Sequence, residues 1–316
     1  MLKVFAKVTV PALVAALTVS AHAAQLSGDA RGAIPHDVQQ LVVIDYRAMQ
    51  NSSTAMALRD RVMPPELKQF EDALRKSGLN DNHDVDQLAF ALFRTGSGDE
   101  LATVGVAQGQ FDTQAVLANF KQQKVTPKLI RQNRLYPMGH SGLMLSFVDP
   151  STMVFGNLEA VKAALSVRDG LTPGMLTNSP IMDAMRSVDS EPLWSVLDQK
   201  GTQVMMKSML GEAGSVTDFE SVRKRLESSW YGMNFQHGVK FNLTISTGDS
   251  FAAATISSLL SAAIVYKKMS GNETEKAALA ATDISSNSGL LNVHFATSDS
   301  DFDNLLKSSL FQSMVR

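Results

Sequence analysis

Apolar residues fall along this chain in two patterns, short dense runs and stripes at helical spacing. The run Leu41-Val42-Val43-Ile44 predicts a buried strand. Asn51, Ser52, Ser53 and Thr54 supply capping side chains for a helix to about Met63, where Pro64 and Pro65 interrupt it. A second helix is predicted over 66–77, with Leu67, Phe70 and Leu74 on one face. Its Glu71 and Asp72 precede Arg75 and Lys76, the order a helix dipole favours, and Gly78 can end it. From Val85 the pattern turns to strands, over 87–94 and 101–108, then a hairpin of 143–148 and 152–155 about Asp149-Pro150-Ser151. Asn157 then caps a helix through Val167.

Residues 170–180 carry the densest Gly, Pro, Ser and Thr punctuation and predict a boundary. Beyond it come a helix over 181–188, a strand from Leu193 and a helical or mobile segment over 203–228. Two strands around Gly238 follow, then a long helix over 250–269, a second helix from Glu273, a strand over 290–296 and a helix over 302–315. The expected organisation is a signal peptide (1–23), a flexible leader (24–33), a first half (34–170), a linker (171–180) and a second half (181–316). The expected fold class is α+β, two halves of similar size, each a mainly antiparallel sheet with helices packed on it.

Near-equal halves prompt a search for duplication. Val104 to Asp112 and Val293 to Asp303 both read as strand, polar turn, Phe-Asp (Phe111-Asp112, Phe302-Asp303) and helix. The Phe would plug the core while the Asp caps the helix or complements its positive end. Ile245 to Phe251, with Asp249, offers a weaker third junction of this kind. This layout resembles exported bacterial proteins of unknown function in which strand–turn–FD–helix units recur in two related α+β halves. The resemblance implies the fold and carries no catalytic residues.

The first residues change the expected location. Lys3 and Lys7, an apolar stretch over 8–19 and the small-residue site Ala21-His22-Ala23 make a secretory signal peptide. The apolar stretch is too short for the roughly 20 residues that span a bilayer. The mature chain is therefore expected to be periplasmic or secreted, with no transmembrane segment after cleavage. The chain has 316 residues and no cysteine, which excludes disulfides, thiolate metal sites and a cysteine nucleophile. Its net charge of −2, made more negative by two on loss of Lys3 and Lys7, gives no general attraction to nucleic acid.

Catalytic and metal motifs fail one by one. His36, His83, His140, His237 and His294 are mutually too distant in sequence for a paired-His zinc motif. Asp299, Asp301 and Asp303 imitate the start of a calcium loop, yet its later positions hold Asn304 and Leu310. Gly139-His140-Ser141-Gly142 lacks the closing Gly of a nucleophile elbow and leads into a strand. Ser221 and Lys224 match S-x-x-K, and Ser285 with Asn287 a loose S-x-N, without the following K-T-G strand. No catalytic, metal or cofactor-binding residue is therefore expected, and no cofactor.

Two features suit binding. Lys121, Lys124, Lys128, Arg131 and Arg134 form an acid-free basic window, a candidate patch for an anion or acidic partner in the envelope. Phe251 to Tyr266 is uncharged, expected as a core helix, with a partner or an apolar ligand as the alternative use. The expected function is an exported, non-catalytic binding or interaction protein of the bacterial cell envelope. The alternatives are a carrier of an apolar ligand, to which 16 Met and 15 Phe would be suited, and a hydrolase without a recognisable motif.

Overall fold

A computed structural model describes residues 25–63, 65–79, 81–96, 100–139, 142–210, 219–309 and 311. The expected signal peptide, His140, Ser141 and the far C-terminal end of the 302–315 helix lie outside the described residues.

The chain opens with α1 (Gly28–Arg31) and β1 (Val38–Asp45), then α2 (Tyr46–Gln50), α3 (Ser53–Val62), α4 (Pro65–Lys76) and α5 (Asp81–Asp84). Strands β2 (Val85–Arg94) and β3 (Leu101–Gly109) lead through α6 (Thr113–Gln122) to β4 (Lys128–Ile130), β5 (Asn133–Met138), β6 (Leu143–Asp149) and β7 (Thr152–Gly156). After α7 (Leu158–Arg168) and α8 (Ser179–Arg186) come β8 (Leu193–Leu197), α9 (Gln199–Leu210), α10 (Phe219–Arg223), β9 (Leu226–Asn234) and β10 (Val239–Thr247). The chain then forms α11 (Ser250–Ser270), α12 (Glu273–Ala280), β11 (Thr282–Asn287), β12 (Leu290–Thr297) and α13 (Asp299–Leu305).

The fold is α+β. All strands join one antiparallel 12-stranded sheet in the order β11-β12-β10-β9-β8-β1-β2-β3-β7-β6-β5-β4. Strands β1–β7 make one half and β8–β12 the other, joined where β1 pairs with β8 through Leu41 opposite Val196 and Val43 opposite Trp194. In each half three strands form a meander, and a later hairpin returns its second strand beside the third: β7 beside β3, β12 beside β10.

This order makes β10–α11, not β12–α13, the counterpart of β3–α6. The caps agree. Asp112 accepts from the Ala115 N–H (3.0 Å) and Asp249 from the Ala252 N–H (2.7 Å). The Phe302 plug is buried as expected, but Asp303 does not cap. Ser298 is the N-cap, and α13 starts at Asp299, before the Phe-Asp pair.

In the leader segment Ser27 caps α1, and Leu26, Ala30 and Ala33 are buried in the core. The linker is also packed, because Met175 is fully buried in a short 3-10 turn and Pro35 bridges Gly174. Three strands, β4, β5 and β11, were not predicted. Their sequences alternate weakly, since β11 is largely exposed and β4 forms an edge of the sheet.

In the first half the sheet is covered on both faces. Leu41, Val43, Ala89, Ala91 and Val104 pack beneath α1, α7 and α8, and the opposite face lies beneath α2 to α6. In the second half one face packs on α9 to α11 through Leu243, Ile245, Ile256 and Leu291. On β10 and β12 the other face is polar. There Thr244 donates to Asn292 (3.0 Å) and His294 Nδ1 donates to Asn242 Oδ1 (2.6 Å). Alternation of this kind is what one solvated sheet face requires.

Helix α11 is long and apolar enough, by length and composition, to cross a membrane. Its first half is a core helix, with Ala252, Ala253, Ile256 and Leu260 buried. Beyond Leu260 it runs past the sheet, leaving Val265, Tyr266 and Met269 exposed. The core-helix expectation therefore describes only half of it.

Candidate functional site

A cleft lies between α2–α4 and the sheet. Its floor is set by register. On one row Val42 pairs with Phe90, Phe90 with Gly105 and Gly105 with Phe155. On the next, Leu193 pairs with Ile44, Ile44 with Leu88, Leu88 with Ala107 and Ala107 with Met153. Both rows place the smallest residues on β3. A Cβ at Gly105 would stand 2.2 Å from the Phe155 ring, so the ring can lie across β3 only because that side chain is missing. Phe155 then meets Phe90 edge-on at 5.9 Å and stacks against Phe70 of α4 at 4.4 Å.

The roof comes from the helices whose inner stripe was legible in sequence. Leu67, Phe70 and Leu74 of α4 face down, beside Leu58 and Met63. Between floor and roof remains a cleft of about 360 Å³. That is within the size range of small-molecule sites. Exposed Thr103 and Val62, the latter 44% exposed, line it and mark where it opens.

The charged side chains of its wall are Arg59 and Glu71. They pair directly across the α3–α4 hairpin, with only 13% and 14% of their side chains exposed. The Arg59 guanidinium also lies over the buried Tyr46 ring, 5.1 Å from its centroid. Glu71 has a second arginine, Arg75, one turn along α4 at 3.5 Å.

Sequence reading found the roof stripe but not this pair. Glu71 and Arg75 were read as dipole complements, and nothing local ties Arg59 to either. One signal was present: β2 is apolar at both parities, Leu88 and Phe90 as well as Ala89, Ala91 and Phe93, the mark of a strand buried on both faces.

The basic window is not brought to the cleft. Lys121 ends α6, Lys124 follows it in a left-handed turn, and Lys128, Arg131 and Arg134 lie on the β4–β5 edge hairpin. All five are exposed. Arg131 is engaged within the fold, its Nε donating to Asp169 (3.0 Å) and its Nη1 to Ser166. Lysines on an edge strand also disfavour edge-to-edge pairing.

Asp169 is held below its ordinary value of 3.8, first by the hydrogen bond from Arg168 and then, against some desolvation, by Arg131. The folded state therefore binds this proton less readily than the unfolded chain. The resulting stabilisation is complete above 3.8 and is lost as pH falls through the lowered value. Urea unfolding of wild type and Asp169→Asn is expected to show a gap at neutral pH that narrows as pH falls below 3.8. A gap independent of pH would assign the effect to packing.

The motif residues do not converge. His36 and His83 each pair with the adjacent aspartate, at 2.8 and 2.9 Å. His237 sits in the β9–β10 turn, and His294 on the solvated sheet face. Ser221 falls in α10, and Ser285 with Asn287 in β11. No group of three metal-ligating side chains occurs among the described residues.

No protein-family model and no curated protein sequence matches the chain. Among solved structures, crystal form I of the Treponema protein TP0453 matches with a TM-score of 0.51 at 11% identity, over 89% of this chain and 96% of that one. Crystal form III of TP0453 gives 0.50 at 9% identity, over 88% and 98%. At such identity the likeness is one of fold, and it spans both halves of the sheet.

Proposed function

We infer that this chain is a non-catalytic binding protein of the bacterial cell envelope, and that what it holds is an apolar molecule lodged between α3–α4 and the sheet. The observation that carries this reading is the cleft itself. A space of about 360 Å³ with an almost wholly apolar wall is costly to leave beside water and is suited to an apolar occupant. Export rests on Lys3, Lys7, the apolar stretch and Ala21-His22-Ala23.

The uncharged fluorophore N-phenylnaphthylamine serves as the test ligand. The mature protein is expected to bind it saturably, with fluorescence enhanced in the dry cleft. Leu88→Trp, which fills the centre of the floor, is expected to weaken binding by about tenfold or more, the equivalent of roughly 1.4 kcal/mol of lost contact. Equal binding by wild type and Leu88→Trp would place the probe elsewhere and remove the support for a carrier.

A further inference from the structure

The cleft is apolar except for one charged element of its wall, and that element has an unusual composition. We propose that the ligand is an amphiphile with an apolar chain and a single carboxylate head, and that Arg59 is its anchor. This proposal rests on the carrier reading above and specifies the chemistry of the same site.

Three features of the wall carry it. Arg59 lies one turn before Val62, whose exposure marks the opening, so its guanidinium stands where the head of a molecule with a buried tail would rest. The guanidinium lies 5.1 Å from the centroid of the fully packed Tyr46 ring, which keeps the cation in place without a carboxylate. Glu71, its present partner, is within 3.5 Å of Arg75, so it can give up Arg59 without becoming an uncompensated, largely buried carboxylate. Nearby Asp60 and Asp72 point outward, 70% and 65% exposed, at 3.9 Å from Arg59 and 3.8 Å from Arg75, where solvent screens them.

Binding is thus an exchange of carboxylates. The ligand head takes the planar, two-donor face of Arg59 while Glu71 turns to Arg75. A neutral head offers no such exchange, and a cationic head would meet Arg59 as a like charge.

The test compares decanoate with decanol, which share a chain and differ in the head, by displacement of N-phenylnaphthylamine from the mature protein. Decanoate is expected to bind about tenfold or more tightly than decanol, as a charge-assisted hydrogen-bonded pair would give. Arg59→Met is expected to abolish that preference, and Arg59→Lys to keep part of it. Glu71→Gln, which removes the competing carboxylate and keeps Arg59, is expected to tighten decanoate alone by severalfold. That variant decides the matter if Arg59→Met does not fold. Equal affinity for the two ligands, or a decanoate affinity unmoved by Glu71→Gln, overturns the anchor and leaves the carrier intact. Failure of both ligands to displace the probe overturns the carrier reading and the anchor with it.

Discussion

Phe155→Ala is expected to cost about 3–5 kcal/mol, the range for deleting a buried aromatic ring. The upper part of that range applies because the site cannot collapse. Phe155 lies over Gly105, which has no side chain to move into the space, and its other neighbours, Phe70 and Phe90, are held by a helix and by a central strand. The melting temperature is expected to fall by on the order of 10 °C. The same geometry makes Gly105→Ala destabilising by about 1–3 kcal/mol, since its Cβ would overlap the ring at 2.2 Å. The double variant is expected to cost clearly less than the sum, because the new methyl occupies space the ring has left. Thermal and urea unfolding of the three variants would check this. Additive costs would mean that ring and glycine do not meet.

The second large effect is expected at the junction of the halves. Trp194 of β8, 2% exposed and opposite Val43 of β1, packs into the core beneath α8. Beside it Arg94 of β2 donates to Asp198 (2.6 Å) and to Gln39 (3.2 Å), tying β2 and β1 to the end of β8. Trp194→Ala is expected to cost about 3–5 kcal/mol. It should also change the character of unfolding, because a continuous ladder and shared core couple the halves. Wild type is expected to melt in one calorimetric transition. In Trp194→Ala the remaining contacts at the junction, among them Leu58 of α3 against Phe302 and Leu306, are fewer, and the transition is expected to broaden or divide. A single, equally sharp transition in the variant would show that β1–β8 does not set the cooperativity.

Much of the local structure was legible. The caps at Ser52, Asp112, Asn157 and Asp249, the α4 stripe, the hairpin at Asp149-Pro150-Ser151 and the β9–β10 turn at Gly238 are short-range features, set by residues a few positions apart. The burial of Ala30, Ala33 and Met175 in the leader and linker was not legible, because it comes from partners distant in sequence. Of the three junctions the weakest, at Asp249, corresponds in strand order to the one at Asp112, while the one at Asp303 does not. Likeness over a handful of residues reflects how any strand meets any helix.

By itself the sequence determined a secretory leader as an expectation, an α+β chain without thiol chemistry, and the apolar faces that must be covered. It could not determine how the sheet is continued from β1 to β8, nor that small residues on β3 and large ones on β2 and β7 share two rows. Pairing register shifts side chains between faces without altering the local pattern, so only the assembled sheet decides which residues meet. The same holds for the Arg59–Glu71 pair. Its members are unremarkable surface charges on two amphipathic helices until the α3–α4 hairpin closes over the floor and turns both inward, where partial loss of solvent strengthens their pairing.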